Sequence, residues 1–295
     1  MAWLELSLIV TAAQQAEVEA ALEDLGALAV TLLDAEDHPI FEPAPGETPL
    51  WPAIALSALF EPDRDRAGLV HVLTDLAPDL SPGQIAFRTI EDQDWTRVWM
   101  DQFQPMRFGR RLWIYPWNIE PPAGDADAII VRLDPGLAFG TGTHPTTALC
   151  LEWLDALDLS GRTVIDYGCG SGVLAIAALK LGAAHVVGVD NDPQALAASQ
   201  DNAERNGVGA HLTLCTPDAF DAAPADALVA NILAGPLAEL APRFATCVKA
   251  GGVLALSGIL AGQQSELVER YSEWFESLVV AAREDWIRIS ARRRG

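Results

Sequence analysis

The sequence feature that most constrains the fold is the segment TVIDYGCGSGVLAIAALKLG at residues 163–182, which predicts an apolar strand, a glycine turn and a helix. Gly168, Gly170 and Gly172 let the backbone turn tightly and approach a ligand at points where a Cβ atom would collide. A dinucleotide fingerprint has the pattern Gly-x-Gly-x-x-Gly, which brings a pyrophosphate onto the helix N-terminus. Here Val173 takes the place of the last glycine, so the pattern disfavours a nicotinamide cofactor.

Strands and helices alternate on both sides of this segment, from about residue 107 to the end of the chain. Such alternation implies right-handed crossovers and a mainly parallel sheet that is covered by helices on both faces. The last two strands flank the charged turn Arg283-Glu284-Asp285, and we expect their hairpin to supply an antiparallel edge strand. The predicted strands are 128–133, 162–167, 185–190, 211–215, 226–231, 252–258, 277–283 and 286–292, and the predicted helices are 145–157, 171–181, 193–206, 235–248 and 263–275.

Residues 1–91 predict a separate small domain with the element order βαββαβ, which is typical of a ferredoxin-like α+β sandwich. This domain has no catalytic constellation, so we expect it to serve recognition. Residues 92–106 predict a connecting helix whose aromatic stripe, formed by Trp95, Trp99 and Phe103, packs on a neighbouring domain. The strands of the small domain are predicted at 3–10, 27–34, 54–60 and 84–90, and its helices at 13–25 and 64–77.

Charge is distributed unevenly along the chain. There are 19 basic and 41 acidic side chains, a formal net charge of -22, which argues against a surface that tracks phosphates. Residues 1–63 contain twelve carboxylates and no Lys or Arg, because the first basic residue is Arg64. This segment is either an ordinary acidic, solubilising surface or a docking face for a basic partner.

Other general features narrow the class of protein. No apolar run is long enough to span a bilayer, and the first residues lack the basic start of a signal peptide, so we expect a soluble, cytoplasmic protein. The four cysteines form no Cys-x-x-Cys pair and no histidine lies at zinc spacing, so neither a disulfide framework nor a metal site is expected.

A nucleoside cofactor is indicated by Asp190, which ends the strand that follows the glycine turn. A carboxylate in this position accepts both ribose hydroxyl protons and repels a phosphorylated ribose. The pattern therefore favours S-adenosylmethionine, a nucleoside with a sulfonium and an amino-acid tail. Asp166 is expected to orient the ammonium of that tail, directly or through water. The alternative is a structural glycine turn without a ligand.

Asn231, in VANILAGPL, ends another strand and is expected beside the glycine turn, because ligands bind beyond the carboxyl ends of the strands in an open α/β sheet. Its amide either accepts a hydrogen bond from an attacking amine, a catalytic role, or helps to hold the cofactor. Methyltransferases of planar amides and bases often have Asn-Pro-Pro followed by an aromatic residue. Such an aromatic residue forms a wall on which a flat acceptor can stack. This aromatic wall is missing here, which favours a flexible alkyl amine as the acceptor.

The segment DPGLAFGTGTHPTT at residues 134–147 predicts a glycine-rich loop before a helix. We expect the loop to act as a lid that excludes water, with Phe139 covering the adenine or the methyl group. Thr146 or Thr147 is expected to bind the cofactor tail. His144 is interpreted as a capping or loop-anchoring residue, with a general base as the alternative.

Together these motifs resemble the bacterial PrmA family, the methyltransferases of ribosomal protein eleven of the large subunit. The resemblance implies a substrate-recognition domain at 1–91, an aromatic linker at 92–106 and, at 107–295, a seven-stranded, Rossmann-like class I methyltransferase domain that uses S-adenosylmethionine. The motifs that carry it are FEPAPGETPLW, DWTRVWMDQFQPMRFGRRLWI, DPGLAFGTGTHPTT, VIDYGCGSGVLAIAALKLGA, DNDPQALAASQDNAERNGV and VANILAGPL.

The resemblance also implies methylation of the N-terminal α-amino group and of lysine ε-amino groups, up to trimethylation. It places cofactor binding on Thr147, Gly168, Asp190 and Asn231, to which the residues themselves add Gly170 and Phe139. Asn191 departs from the family, where an aliphatic residue is common, and is expected to alter adenine packing slightly.

The partner implied is a basic ribosomal protein docked on the acidic N-terminal domain, with no direct nucleic-acid contact and no membrane, and the protein is expected to be monomeric. Two alternatives stay open. One is a methyltransferase of a nucleic-acid base or a protein glutamine, which the charge and the missing aromatic wall disfavour. The other is a module that senses S-adenosylmethionine without catalysis.

Overall fold

The structure is a computed structural model that describes residues 2–36, 49–77, 80–91, 104–122, 127–134, 144–221 and 223–295. The chain divides into two compact units, residues 1–95 and 96–295. The predicted linker helix with Trp95, Trp99 and Phe103 lies outside the described residues, so the domain boundaries after residues 91 and 106 stay predictions.

The smaller unit is a four-stranded sheet with two helices, as the sequence predicts. Its strands pair antiparallel in the order β2-β3-β1-β4, so that β1 and β2 run parallel with β3 between them. This is the split βαβ arrangement of a ferredoxin-like sandwich. Its elements are β1 (Ala2–Thr11), α1 (Ala12–Asp24), β2 (Ala29–Asp34), β3 (Ala53–Phe60), α2 (Arg66–Leu76) and β4 (Ala86–Glu91).

The larger unit begins with a small sheet of β5 (Met106–Phe108), β6 (Leu112–Tyr115) and β7 (Ile129–Arg132). The prediction that strand 128–133 belongs to the main parallel sheet is therefore wrong, because this strand pairs with β6. At Arg132 the side chain of Asn206 makes the two backbone hydrogen bonds that a neighbouring strand would otherwise make. Its Oδ1 accepts from the backbone N–H of Arg132 at 2.8 Å, and its Nδ2 donates to the Arg132 carbonyl at 2.8 Å.

The main sheet has seven strands in the order β10-β9-β8-β11-β12-β14-β13. The first five run parallel, and β14 runs antiparallel to both of its neighbours, which leaves β13 at the edge. The α/β class I architecture is thus confirmed. The strands are β8 (Thr163–Tyr167), β9 (His185–Val189), β10 (Leu212–Cys215), β11 (Ala225–Asn231), β12 (Val248–Leu260), β13 (Phe275–Arg283) and β14 (Trp286–Arg293).

Helices cover both faces of the main sheet, and two separate apolar cores result. The predicted helix 263–275 is too long, because it ends at Tyr271 and the buried Phe275 already belongs to β13. None of the helices among the described residues is both long enough and apolar enough to cross a membrane. The helices are α3 (Pro145–Asp155), α4 (Val173–Lys180), α5 (Pro193–Arg205), α6 (Ala234–Cys247) and α7 (Gln264–Tyr271).

The topology brings the predicted functional positions together at one edge of the main sheet. Strand β8 lies between β9 and β11, with Tyr167 opposite Val189 on one side and Ala230 on the other. The residues that follow in each strand are the glycine turn, Asp190 and Asn231. Three loops that are far apart in the sequence therefore meet at the carboxyl ends of adjacent parallel strands.

Candidate active site

The glycine turn and Asp190 are joined directly. One oxygen of Asp190, Oδ2, accepts the backbone N–H of Gly170 at 2.9 Å, and Oδ1 accepts the backbone N–H of Asp192 at 3.0 Å. These two bonds fix the carboxylate at the mouth of the turn, and the side chain is partly exposed. The structure therefore brings together Gly168, Gly170 and Asp190 as the sequence predicts, although their roles toward a ligand stay predictions.

The first glycine of the turn is required by its backbone and by its surroundings. Gly168 has φ +79°, a left-handed conformation that side chains other than glycine adopt only with strain. A Cβ atom at this position would also overlap the side chain of Ile232, which follows Asn231. Gly168 thus lets the loop after β8 and the loop after β11 approach each other closely.

Helix α5 supports the turn from behind through two residues that the sequence reasoning did not identify. The buried Ser199 donates its hydroxyl to the Gly170 carbonyl at 2.8 Å, and Asn202 donates its Nδ2 to the Ser171 carbonyl at 2.9 Å. The only sequence signal is that these two polar residues lie three apart, on one face of the helix that follows Asp190.

Asp166, on β8 below the turn, carries a buried carboxyl group with one oxygen unpaired. Its Oδ2 accepts the backbone N–H of Ala175 at 2.9 Å, whereas no hydrogen-bond partner for the buried Oδ1 exists among the described residues. Burial raises the pKa of Asp166 to about 7, an effect that the Ala175 N–H opposes and that the Asp190 carboxylate increases. An unpaired buried carboxylate oxygen suits a cationic ligand group.

Asn231 and Thr147, from two different elements, are linked by a side-chain hydrogen bond. Asn231 ends β11 and donates its Nδ2 to Oγ1 of Thr147, which lies in the first turn of α3, at 3.2 Å. Thr147 is only 2 % exposed. Among the residues that the structure describes, none donates a hydrogen bond to the Asn231 amide oxygen.

His144 caps helix α3, which agrees with the first of the two interpretations of this residue. Its Nδ1 accepts the backbone N–H of Thr146 at 3.4 Å and lies 2.7 Å from the Thr146 hydroxyl. Its ring packs edge-on against Trp286, with the ring centroids 4.7 Å apart. Burial lowers the pKa of His144, and Glu284 opposes this change. Of the two threonines, Thr146 contacts His144, whereas Thr147 is the one that is hydrogen-bonded to Asn231.

The residues fit S-adenosylmethionine on three observations. A glycine turn opens the site, Asp190 presents a carboxylate beside it, and Asp166 offers an unpaired buried oxygen for an ammonium. Phe139 and the remainder of the predicted lid, residues 135–143, lie outside the described residues, so the covering role of Phe139 stays a prediction. No group of three or more His, Cys, Asp or Glu side chains suited to a metal ion occurs in the described parts of the chain.

Comparisons with known proteins relate almost the whole chain to a single family. The model of the family "Ribosomal protein L11 methyltransferase (PrmA)" matches residues 2–294. A ribosomal protein L11 methyltransferase of Stenotrophomonas maltophilia strain K279a is 56 % identical over 305 residues, which cover 100 % of each chain. One from Pseudomonas aeruginosa strain LESB58 is 56 % identical over 297 residues, covering 100 % of this chain and 99 % of that protein.

A solved structure gives the same result at lower identity. The crystal structure of a ribosomal protein L11 methylase from Lactobacillus delbrueckii subsp. bulgaricus aligns with a TM-score of 0.60 and 33 % identity. The alignment covers 65 % of this chain and 100 % of that one.

The titration of Asp166 should be visible in cofactor binding. A bound ammonium stabilises the ionised carboxylate, so binding releases a proton in the range where Asp166 titrates, and affinity should increase as the pH rises through about 7. Calorimetry with S-adenosylhomocysteine, which carries the same amino-acid tail, measures this increase. Asp166→Asn should bind more weakly and without the increase, whereas the exposed Asp201→Asn should behave as wild type. A wild-type affinity that is flat with pH contradicts the assignment.

Proposed function

Because this chain belongs to the ribosomal protein L11 methyltransferase family, we propose that it methylates the N-terminal α-amino group and lysine ε-amino groups of ribosomal protein L11, up to trimethylation. It is a protein methyltransferase that uses S-adenosylmethionine. The choice of acceptor is supported by the amide oxygen of Asn231, which lies beside the glycine turn, accepts no hydrogen bond from a described residue and is not followed by an aromatic residue. These surroundings suit an alkyl amine as the methyl acceptor.

The chemistry requires little of the protein beyond alignment and protection from water. S-adenosylmethionine, when bound, supplies a methyl group on a sulfonium, so no side chain has to act as a nucleophile. The residues of the site contribute by holding the acceptor in line and by excluding solvent. Thr147 and Asn231, joined to each other across the site, are the residues we assign to this positioning.

The acceptor amine must lose a proton before it can react. At pH 7 a lysine with a pKa of about 10.4 costs roughly 4 to 5 kcal/mol to deprotonate, against about 1 kcal/mol for an α-amine. A carboxylate in contact with the amine would increase this cost by stabilising the ammonium. A neutral amide such as that of Asn231 accepts an N–H group without holding the extra proton, which supports its assignment as the catalytic contact.

The acidic residues of the small unit support docking of the basic substrate there. Glu17, Glu23 and Asp24 are exposed on α1, and no Lys or Arg occurs before Arg64 to neutralise them. Charges of this kind accelerate encounter with an oppositely charged partner and orient it. We propose that ribosomal protein L11 docks on this unit, and that the enzyme acts as a monomer in the cytoplasm without direct contact to nucleic acid.

The first test is intact-protein mass spectrometry of purified L11 after incubation with the enzyme and S-adenosylmethionine. Wild type should add mass in steps of one methyl group, whereas Asn231→Ala should lose about 100-fold or more in turnover, because it lacks the acceptor contact. Affinity for S-adenosylhomocysteine should fall much less. A parallel reaction with ribosomal RNA should remain unmethylated. Full activity of Asn231→Ala, or methylation of the RNA alone, would falsify the assignment.

The docking proposal predicts a salt-sensitive KM. Raising the ionic strength should increase the KM for L11 and leave kcat unchanged, since exposed charges are screened by salt. The combined change Glu17→Gln, Glu23→Gln and Asp24→Asn should raise the KM several-fold and weaken this salt dependence. The control variant makes the same change in net charge on the larger unit and should behave as wild type. It combines Asp201→Asn, Glu239→Gln and Glu269→Gln. Equal effects of the two variants would refute docking on α1.

A further inference from the structure

Ile232, directly after Asn231, is enclosed by two glycines from different strands. Gly168 follows β8 with φ +79°, and Gly258 lies in β12 with φ +84°, where the pairing of β12 with β14 shifts register. A Cβ atom on Gly168 would overlap the Ile232 side chain, and one on Gly258 would overlap the Ile232 backbone. The backbone that connects β11 to α6 is therefore fixed on both sides.

Leu233, the next residue, is left pointing into solvent. It is the N-cap of α6 with extended backbone angles of φ -61° and ψ 153°, and it is 55 % exposed. Leucine is a poor N-cap, since its side chain offers no hydrogen-bond acceptor to the first turn of a helix. Among the described residues of the larger unit, the other exposed large aliphatic side chains are Val279 and Val280, on the edge strand β13.

A single exposed leucine is common on protein surfaces and has no meaning by itself. Leu233 differs in its position, because it directly follows the enclosed Ile232 and lies two residues after Asn231. Two residues of extended chain span at most about 7 Å. An amine bound at the Asn231 amide oxygen therefore brings the carbon chain behind it within reach of Leu233.

We propose that Leu233 packs against the aliphatic stem of the acceptor lysine and so favours ε-amines as acceptors. The inference rests on the proposed function and extends it to specificity. A lysine side chain carries four methylene groups that pack readily on apolar surface while the amine reaches a polar contact. The N-terminal α-amine has no such stem, so it gains nothing comparable from Leu233.

The experiment measures kcat/KM separately for the lysine and α-amine sites of L11, by peptide mass spectrometry at early reaction times. Leu233→Ala should lower the value at the lysine sites about tenfold, as expected for the loss of a small apolar contact, and change the α-amine value less than about twofold. Leu233→Met, which keeps the apolar bulk, should retain the lysine rates. Val279→Ala removes an aliphatic group that is 56 % exposed elsewhere and should match wild type.

Two further readouts separate specificity from structure. Melting temperature and affinity for S-adenosylhomocysteine should be the same in wild type and in all three variants, because Leu233 is exposed. An equal loss at lysine and α-amine sites, or no loss at either, overturns the inference while the proposed function stands. A wild-type enzyme that methylates no amine of L11 overturns the proposed function, and the inference with it.

Discussion

Parallel pairing of β8 with β9 on one side and with β11 on the other determines where the functional residues lie. The register places Tyr167 opposite Val189 and Ala230, so the three segments that follow emerge side by side. A hydrogen bond from Gly170 to Asp190 then joins the first two segments, and Asn231 of the third segment is bonded to Thr147 of α3. Every other feature of the site, including the support from α5 and the enclosed Ile232, depends on this shared edge.

The charges within the site are arranged for two different tasks. The carboxyl groups lie on the side that we propose for the cofactor, where Asp166 is buried with one oxygen that has no partner among the described residues and Asp190 lies at the mouth of the turn. A buried carboxyl without a full set of partners destabilises the protein until a cation satisfies it. The proposed acceptor contact, Asn231, is neutral, so it would not stabilise the ammonium form of the amine. The first 63 residues, which belong to the small unit, hold twelve carboxylates and no Lys or Arg, and this is the surface on which we propose that the basic substrate docks.

Much of this arrangement is predictable from the sequence, for identifiable reasons. The glycine turn, Asp190 and Asn231 belong to apolar strands with clear ends, and His144 precedes Pro145, which marks the start of a helix. Periodicity identifies a strand but not its partner, so the sequence predicts β7 as a strand but in the wrong sheet. Ser199 and Asn202 bind backbone carbonyls, so they look like any polar residues of a surface helix. Leu233 is equally hard to identify from the sequence, because its exposure beside Ile232, which two glycines enclose, appears only in three dimensions.

We propose that Asp166 and Asp190 hold the cofactor at the carboxyl edge of β8 and β9. A crystal structure of the full chain with S-adenosylhomocysteine tests this most directly. We expect the ligand ammonium within hydrogen-bond distance of the Asp166 Oδ1 atom, directly or through one water, and the ribose hydroxyls on the Asp190 carboxylate. A ligand whose ammonium and ribose contact neither carboxylate would contradict it.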